Sequence, residues 1–185
     1  QLSVEPGSAL ASLMEKGAWN EAADDVCEAQ YSRLCQALKS AGYHHYEISN
    51  FALPGYEAVH NSAYWRHVPY VGLGPGAHSF LADGAMVRKW NEPDLTLYEK
   101  AMAAGDLSLV QGGETLDEEQ IAIEKIMLAL RTSEGVSESY LLDKCLASKV
   151  EDALACGNLV RTGHGSIRIP EEKFFVSDGT ISSIL

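Results

Sequence analysis

Between positions 43 and 90 the chain gathers five of its six histidines, His44, His45, His60, His67 and His78. Nine of its fifteen aromatic residues stand in the same stretch: Tyr43, Tyr46, Phe51, Tyr56, Tyr64, Trp65, Tyr70, Phe80 and Trp90. Imidazole offers a metal ligand or a proton relay, and flat aromatic walls suit a flat conjugated ligand such as a porphyrin. Each of these side chains taken singly also suits an aromatic core with satisfied histidines, so the density, not any one residue, marks a candidate site.

His60-Asn61-Ser62-Ala63-Tyr64-Trp65 is the sharpest part of it. In a helix, His60 and Tyr64 stand four apart on one face and Trp65 lies beside Asn61. Following the Pro54-Gly55-Tyr56 turn, a histidine at the start of such a helix would present its ring to a ligand; the same position also suits a histidine bonded to the helix-start backbone. Gly72-Leu73-Gly74-Pro75-Gly76-Ala77-His78 holds a GxGxxA spacing, yet Pro75 interrupts it and no strand-loop-helix unit with a later acidic residue follows, so it is a poor dinucleotide fingerprint. Its glycines fit either a close approach of backbone to a ligand or a plain turn.

The elements that must position this segment are legible in outline. Leu2 to Glu5 reads as the tail of a strand, and Ser8 caps a short helix to Lys16 that Gly17 stops. Ala22 to Ala41 has apolar residues at helical spacing and a C-cap at Gly42, and Tyr43 to Ser49 alternates as a strand. Helix followed by strand is the grammar of an α/β unit. Asp83-Gly84 marks a hairpin, Asp94 to Ala104 a helix, and Thr115-x-x-Glu118 a capping box opening an amphipathic helix over Leu116 to Leu130. Gly112-Gly113 reads as a linker before a second unit. There Ser137 caps a helix through Ala147, another helix covers Lys149 to Cys156, and Thr162-Gly163-His164-Gly165 turns a hairpin before a closing helix, a winged-helix-like outline.

With 185 residues, 46% of them hydrophobic and 22% charged, the chain has the composition of a folded globular protein. A formal net charge of -12, shared by both halves and still negative, at -2, over residues 137 to 185, argues against nucleic acid as a partner. No apolar run approaches the ~20 residues needed to span a bilayer, so no integral membrane segment is expected. Cys27, Cys35, Cys145 and Cys156 fit no zinc, haem-attachment or redox spacing and read as free thiols in a reducing cytoplasm. The chain opens on Gln1 and shows no signal or transit segment, and is expected to be a piece of something longer.

Taken in order, several segments carry a resemblance. They are Tyr46-Glu47-Ile48-Ser49-Asn50-Phe51-Ala52 with Pro54-Gly55, His60-Asn61-x-x-Tyr64-Trp65, Tyr70-x-Gly72-Leu73-Gly74-x-Gly76-Ala77-His78-Ser79, and then Arg88 and Asn91. Glu124 to Gly135 and the tail from Arg161 to Leu185 add to it. The whole string resembles the radical S-adenosylmethionine family of oxygen-independent coproporphyrinogen III oxidases and their HemW-type haem-chaperone relatives.

The resemblance implies an α/β fold: residues 1–112 finish a partial (β/α) barrel, and residues 113–185 form a small helical, winged-helix-like domain. QLSVEPGS would end the fifth barrel strand and YHHYEISNFA would be the sixth. The family's [4Fe-4S] cluster sits on a C-x-x-x-C-x-x-C motif that this chain lacks, so the motif and the N-terminal half of the barrel are expected upstream of Gln1. By resemblance Ala52 lies against S-adenosylmethionine, the loop carrying Gly74 and Gly76 closes over the same space, and His60 ligates haem iron with Tyr64 and Trp65 shaping the wall. HNxxYW marks the chaperone branch, which binds haem and passes it to an accepting protein; the alternative is the oxidase, which converts two propionates of coproporphyrinogen III to vinyl groups. A fragment without the cluster motif is expected to be inactive as an enzyme, and an exposed barrel edge would favour self-association.

Overall fold

The computed structural model describes residues 4–185. Residues 1–3 of the expected first strand lie outside the described residues, and Val4 and Glu5 are not in a strand. The chain then runs α1 (Ala9–Glu15), α2 (Asp24–Ser40), β1 (His44–Glu47), β2 (Asn50–Ala52), α3 (Val59–Trp65), β3 (His78–Asp83), β4 (Ala85–Asn91), α4 (Leu95–Ala104) and β5 (Gln111–Thr115). It continues through α5 (Glu118–Leu130), β6 (Val136–Ser137), α6 (Glu138–Lys144), α7 (Ala147–Ala155), β7 (Val160–Arg161) and β8 (Ser166–Arg168). A 3-10 turn over Glu171–Val176 leads into α8 (Ser177–Ile184). Helix and strand are mixed throughout. Among the described residues the strands form three small antiparallel sheets, β1-β2, β3-β4-β5 and β6-β8-β7.

Several local signals act as the sequence implies. Ser8 accepts from Ala11 N at 3.1 Å to start α1, and Asp94 accepts from Leu97 N at 2.9 Å to start α4. The β3–β4 hairpin turns at Gly84, whose φ of 71° is open to glycine at no cost.

Other expectations are corrected. YHHYEISNFA is not one strand but a hairpin, with His44 opposite Ala52 and His45 opposite Phe51. Its turn has no glycine; it is held because Tyr31 Oη donates to Ile48 O at 3.0 Å and His45 Nε2 donates to the same carbonyl at 3.1 Å. Thr115 does not cap α5, because it is paired with Val87 in the sheet. The capping box is two residues later: Gln120 N donates to Asp117 Oδ1 at 2.8 Å, and Asp117 N donates to Gln120 Oε1 at 2.9 Å. Gly112-Gly113 is no linker but the middle of β5. Gly112 faces Trp90 across the ladder, where a β-carbon would stand 2.3 Å from the indole Nε1. Ser137 precedes α6 without a side-chain cap, its Oγ lying 2.9 Å from Ser139 Oγ instead. Helix α2, expected to bury an apolar face, leaves Val26 and Leu34 exposed and attaches chiefly through Tyr31, whose ring is 5.3 Å from Phe175.

The core lies in the C-terminal part. Ile126 and Leu130 of α5, Leu141 of α6, Val150 of α7, Ile167 of β8, and Phe174, Ile181 and Ile184 pack together, all nearly without exposure. Burying side chains of this size contributes roughly 1.5–3 kcal/mol each. The closest backbone approach in this core is at Gly135, with φ of 72° and Ile167 O 2.4 Å from where a β-carbon would stand. Gly163, in the β7–β8 turn, has open space around it. Gly135→Ala should therefore destabilise the fold by more than about 1 kcal/mol while Gly163→Ala stays within about 0.5 kcal/mol, read as midpoints in urea unfolding.

Candidate functional site

Helix α3 starts at Val59 with Ala58 in the cap position and no side-chain cap. His60 therefore does not serve the helix start. Its Nε2 shares a 2.8 Å hydrogen bond with Tyr64 Oη one turn on, the rings meeting edge to face at 4.8 Å, and the side chain is exposed. Tyr64 in turn meets Tyr70 edge to face at 4.5 Å. Tyr70 and Phe80 exchange two backbone hydrogen bonds, of 2.7 and 2.9 Å, which fix the aromatic row on β3.

His67, just past α3, anchors the row. It is the one non-glycine with positive φ among the described residues, at 56°, a conformation that costs on the order of 1–2 kcal/mol for a branched or bulky residue. Its side chain is only 6% exposed and its ring lies 4.3 Å from Phe80. Nε2 donates to Glu124 Oε2 at 3.0 Å. Glu124 Oε1 also accepts from Arg88, and Arg88 Nη1 donates to Glu114 Oε1 at 2.7 Å. Partial burial alone would raise the Glu124 carboxyl, but the hydrogen bonds from Arg88 and His67 outweigh it and hold it below the ordinary carboxylate range. Burial pushes the Tyr70 phenol up. These side chains line a cleft of about 220 Å³ between Tyr64, His67, Tyr70, Phe80, Arg88 and Glu124.

Trp65 is on the other side of the helix. It lines a second cleft with Ser62, Arg66, Glu47 and Thr132, and Arg66 Nε donates to Glu134 Oε2 at 3.1 Å at its rim. Tyr64 alone of the two aromatic motif residues contacts the His60 ring. Ala52 is buried in β2 beside His44. Gly74 and Gly76 stand in a separate loop fastened to the end of β4: Asn91 Nδ2 donates to Gly74 O at 2.8 Å and Gly76 N donates to Glu92 O at 3.1 Å. Among the described residues no hydrogen bond or ring contact joins this loop to Ala52 or His60. The glycine of that motif with the tightest surroundings is Gly72, where a β-carbon would stand 2.0 Å from His78 O.

The sequence alone assigns Glu124 no role. Its position on α5 at helical spacing beside apolar residues signals a solvated face, and only the return of α5 onto β4 brings it to His67. The four cysteines are free thiols and, among the described residues, no three His, Cys, Asp or Glu side chains are grouped as a metal site.

No protein-family model matches the chain. Its fold is shared with a radical S-adenosylmethionine enzyme, coproporphyrinogen III oxidase (HemN) from Escherichia coli, at a TM-score of 0.58 over 82% of this chain and 39% of that one, with 16% identity. Sequence narrows this further. The chain is 32% identical to the haem chaperone HemW of Mycobacterium tuberculosis over 90% of its length and 43% of that protein. It is 33% identical to HemW of Bacillus subtilis over 77% of its length and 37% of that protein. Zebrafish (Danio rerio) radical S-adenosyl methionine domain-containing protein 1, mitochondrial, is 32% identical over 76% of the chain and 32% of that protein. The chain is thereby identified as a sequence relative of the HemW haem chaperones and of radical S-adenosyl methionine domain-containing protein 1. It spans less than half the length of these relatives.

The Glu124 network makes a thermodynamic statement. A carboxyl whose folded pKa is depressed contributes stability that is complete above its unfolded pKa of ~4.3 and is lost as pH falls through the folded value. Glu124→Gln should cost about 1–3 kcal/mol in urea unfolding at pH 7, and the gap to wild type should narrow as pH falls below ~4.3. An unchanged gap at pH 7 and pH 3.5 would assign the loss to packing instead.

Proposed function

We propose that this chain is the haem-handling part of a HemW-like chaperone, with His60 as an axial ligand to haem iron. The observation that carries the reading is the exposed His60–Tyr64 pair at the head of an aromatic row, in a chain about one-third identical to proteins named haem chaperones. Haem is the cargo. A neutral imidazole supplies a strong axial bond to iron, and the edge of an aromatic row offers a flat apolar surface to the macrocycle. With Nε2–H donating to Tyr64 Oη at 2.8 Å, the His60 ring is oriented and keeps its Nδ1 lone pair for iron, and Trp65 contributes from the other side of the helix.

We read residues 113–185 as a winged-helix-like unit packed on the end of a partial barrel, and the remaining barrel half as a segment of the whole protein. The family's [4Fe-4S] cluster does not fit the residues described here, since the cysteines are scattered and ungrouped. What supports S-adenosylmethionine is buried Ala52 and the open space at Gly74 where a side chain would otherwise stand. Four free thiols suit a reducing, cytoplasmic setting, and no described helix is long and apolar enough to cross a membrane. An accepting protein for haem and self-association through the open face of α2 complete the reading. An oxidase reading rests on the likeness in fold to coproporphyrinogen III oxidase, which at 16% identity reaches no further than fold.

Titrating the protein with haem should give a Soret band that His60→Ala shifts, with affinity weakened about tenfold or more, whereas His78→Ala leaves both unchanged. Equal affinity and an unchanged spectrum for His60→Ala would remove His60 from the site.

A further inference from the structure

Glu47 belongs to the motif around Ala52, yet the haem reading gives it no task. Its side chain is 1% exposed and its Oε1 has no hydrogen-bond partner. It lines the cleft of about 180 Å³ between β1, α3 and the turn after α5. In the same wall the Trp65 indole Nε1 is buried and likewise has no partner. A buried carboxylate without a compensating charge costs several kcal/mol, and a buried donor without an acceptor costs about 1–3 kcal/mol.

The protein's own cations do not answer this need. Arg66 lines the cleft but its guanidinium is taken by Glu134, His44 lies 3.7 Å from Glu57, and His45, which feels the Glu47 charge, spends its Nε2 on Ile48 O. Glu47 thus has no ion-pair partner among the described residues. Metal coordination is not built here, because Glu47 belongs to no group of three metal-binding side chains among the described residues. The walls are fixed in advance: Ser133 N donates to Tyr46 O at 3.0 Å, Thr132 bridges to Glu47 through the backbone, and Thr132 Oγ1 donates to Ala129 O at 2.9 Å.

We propose that this cleft binds a small organic ammonium that also carries an oxygen acceptor, an amino alcohol in its simplest form. The ammonium N–H groups donate to the Glu47 carboxylate and the oxygen accepts from the Trp65 indole N–H. The ligand supplies in one molecule the donor and the acceptor that the wall lacks, and a small amino alcohol fits within the cleft of about 180 Å³. This site is on the face of α3 opposite His60 and shares only Trp65 with the haem reading.

The test is a titration of the ¹⁵N-labelled protein with ethanolammonium chloride, following the Trp65 indole N–H, assigned with Trp65→Phe. Ethylene glycol, choline chloride and sodium chloride at matched ionic strength are the comparison probes. A saturable shift with ethanolammonium alone is expected, and Glu47→Gln, which keeps the shape and removes the charge, should weaken it about tenfold or more, the scale of one charge-assisted hydrogen bond. No saturable shift in wild type, or the same response to ethylene glycol or choline, would overturn the proposal, as would equal affinity in Glu47→Gln. Should Glu47→Gln fail to fold, the comparison of probes in wild type decides alone: choline has no N–H to donate and ethylene glycol has no charge.

Discussion

One carboxylate joins parts of the chain that are far apart in sequence. Glu124 of α5 accepts from Arg88 of β4 and from His67 at the exit of α3, so a helix, a sheet and the candidate site meet at one group. Charge-assisted contacts of this kind contribute about 1–3 kcal/mol each, enough to offset the left-handed backbone at His67. With His67 held, its ring presses on Phe80, Phe80 holds Tyr70 through two backbone bonds, and Tyr70 supports Tyr64 against His60. The exposed imidazole is therefore positioned from beneath by a half-buried ion pair and not by the cap of its own helix.

The division of α3 into two faces follows from the same geometry. His60 and Tyr64, four apart, look toward the aromatic row on β3, while Ser62, Trp65 and Arg66 look toward β1 and the turn after α5. The contiguous letters HNxxYW thus serve two surfaces. One is exposed and aromatic, suited to a large flat cargo, and the other is narrow, acidic and rigid.

Signals that act within a few residues were legible in the sequence: the Ser8 cap, the helix beginning near Asp94, the Asp83-Gly84 hairpin, and the helical period of α5. What was illegible depended on distant partners. Ile48-Ser49 carries no turn residue, and the hairpin there is fixed by Tyr31 and His45. Gly112-Gly113 looks like a linker until Trp90 is seen to occupy the space a side chain at Gly112 would need. The pairing His60–Tyr64 was legible because it is local to one helix turn; the roles of His67 and Glu124, 57 positions apart, were not. The separation of Ala52, Gly74 and Gly76 from His60 was hidden for the same reason.

The account's central claim is that the His60–Tyr64 face, with the row behind it, is where haem settles. Hydrogen exchange of the protein with and without haem tests this without altering any residue. Haem should slow exchange in α3 and through Tyr70 to Phe80, leaving α7 and the β7–β8 hairpin unchanged. Protection confined instead to the cleft between α2 and β1, around Tyr31, His45 and Phe51, would contradict it.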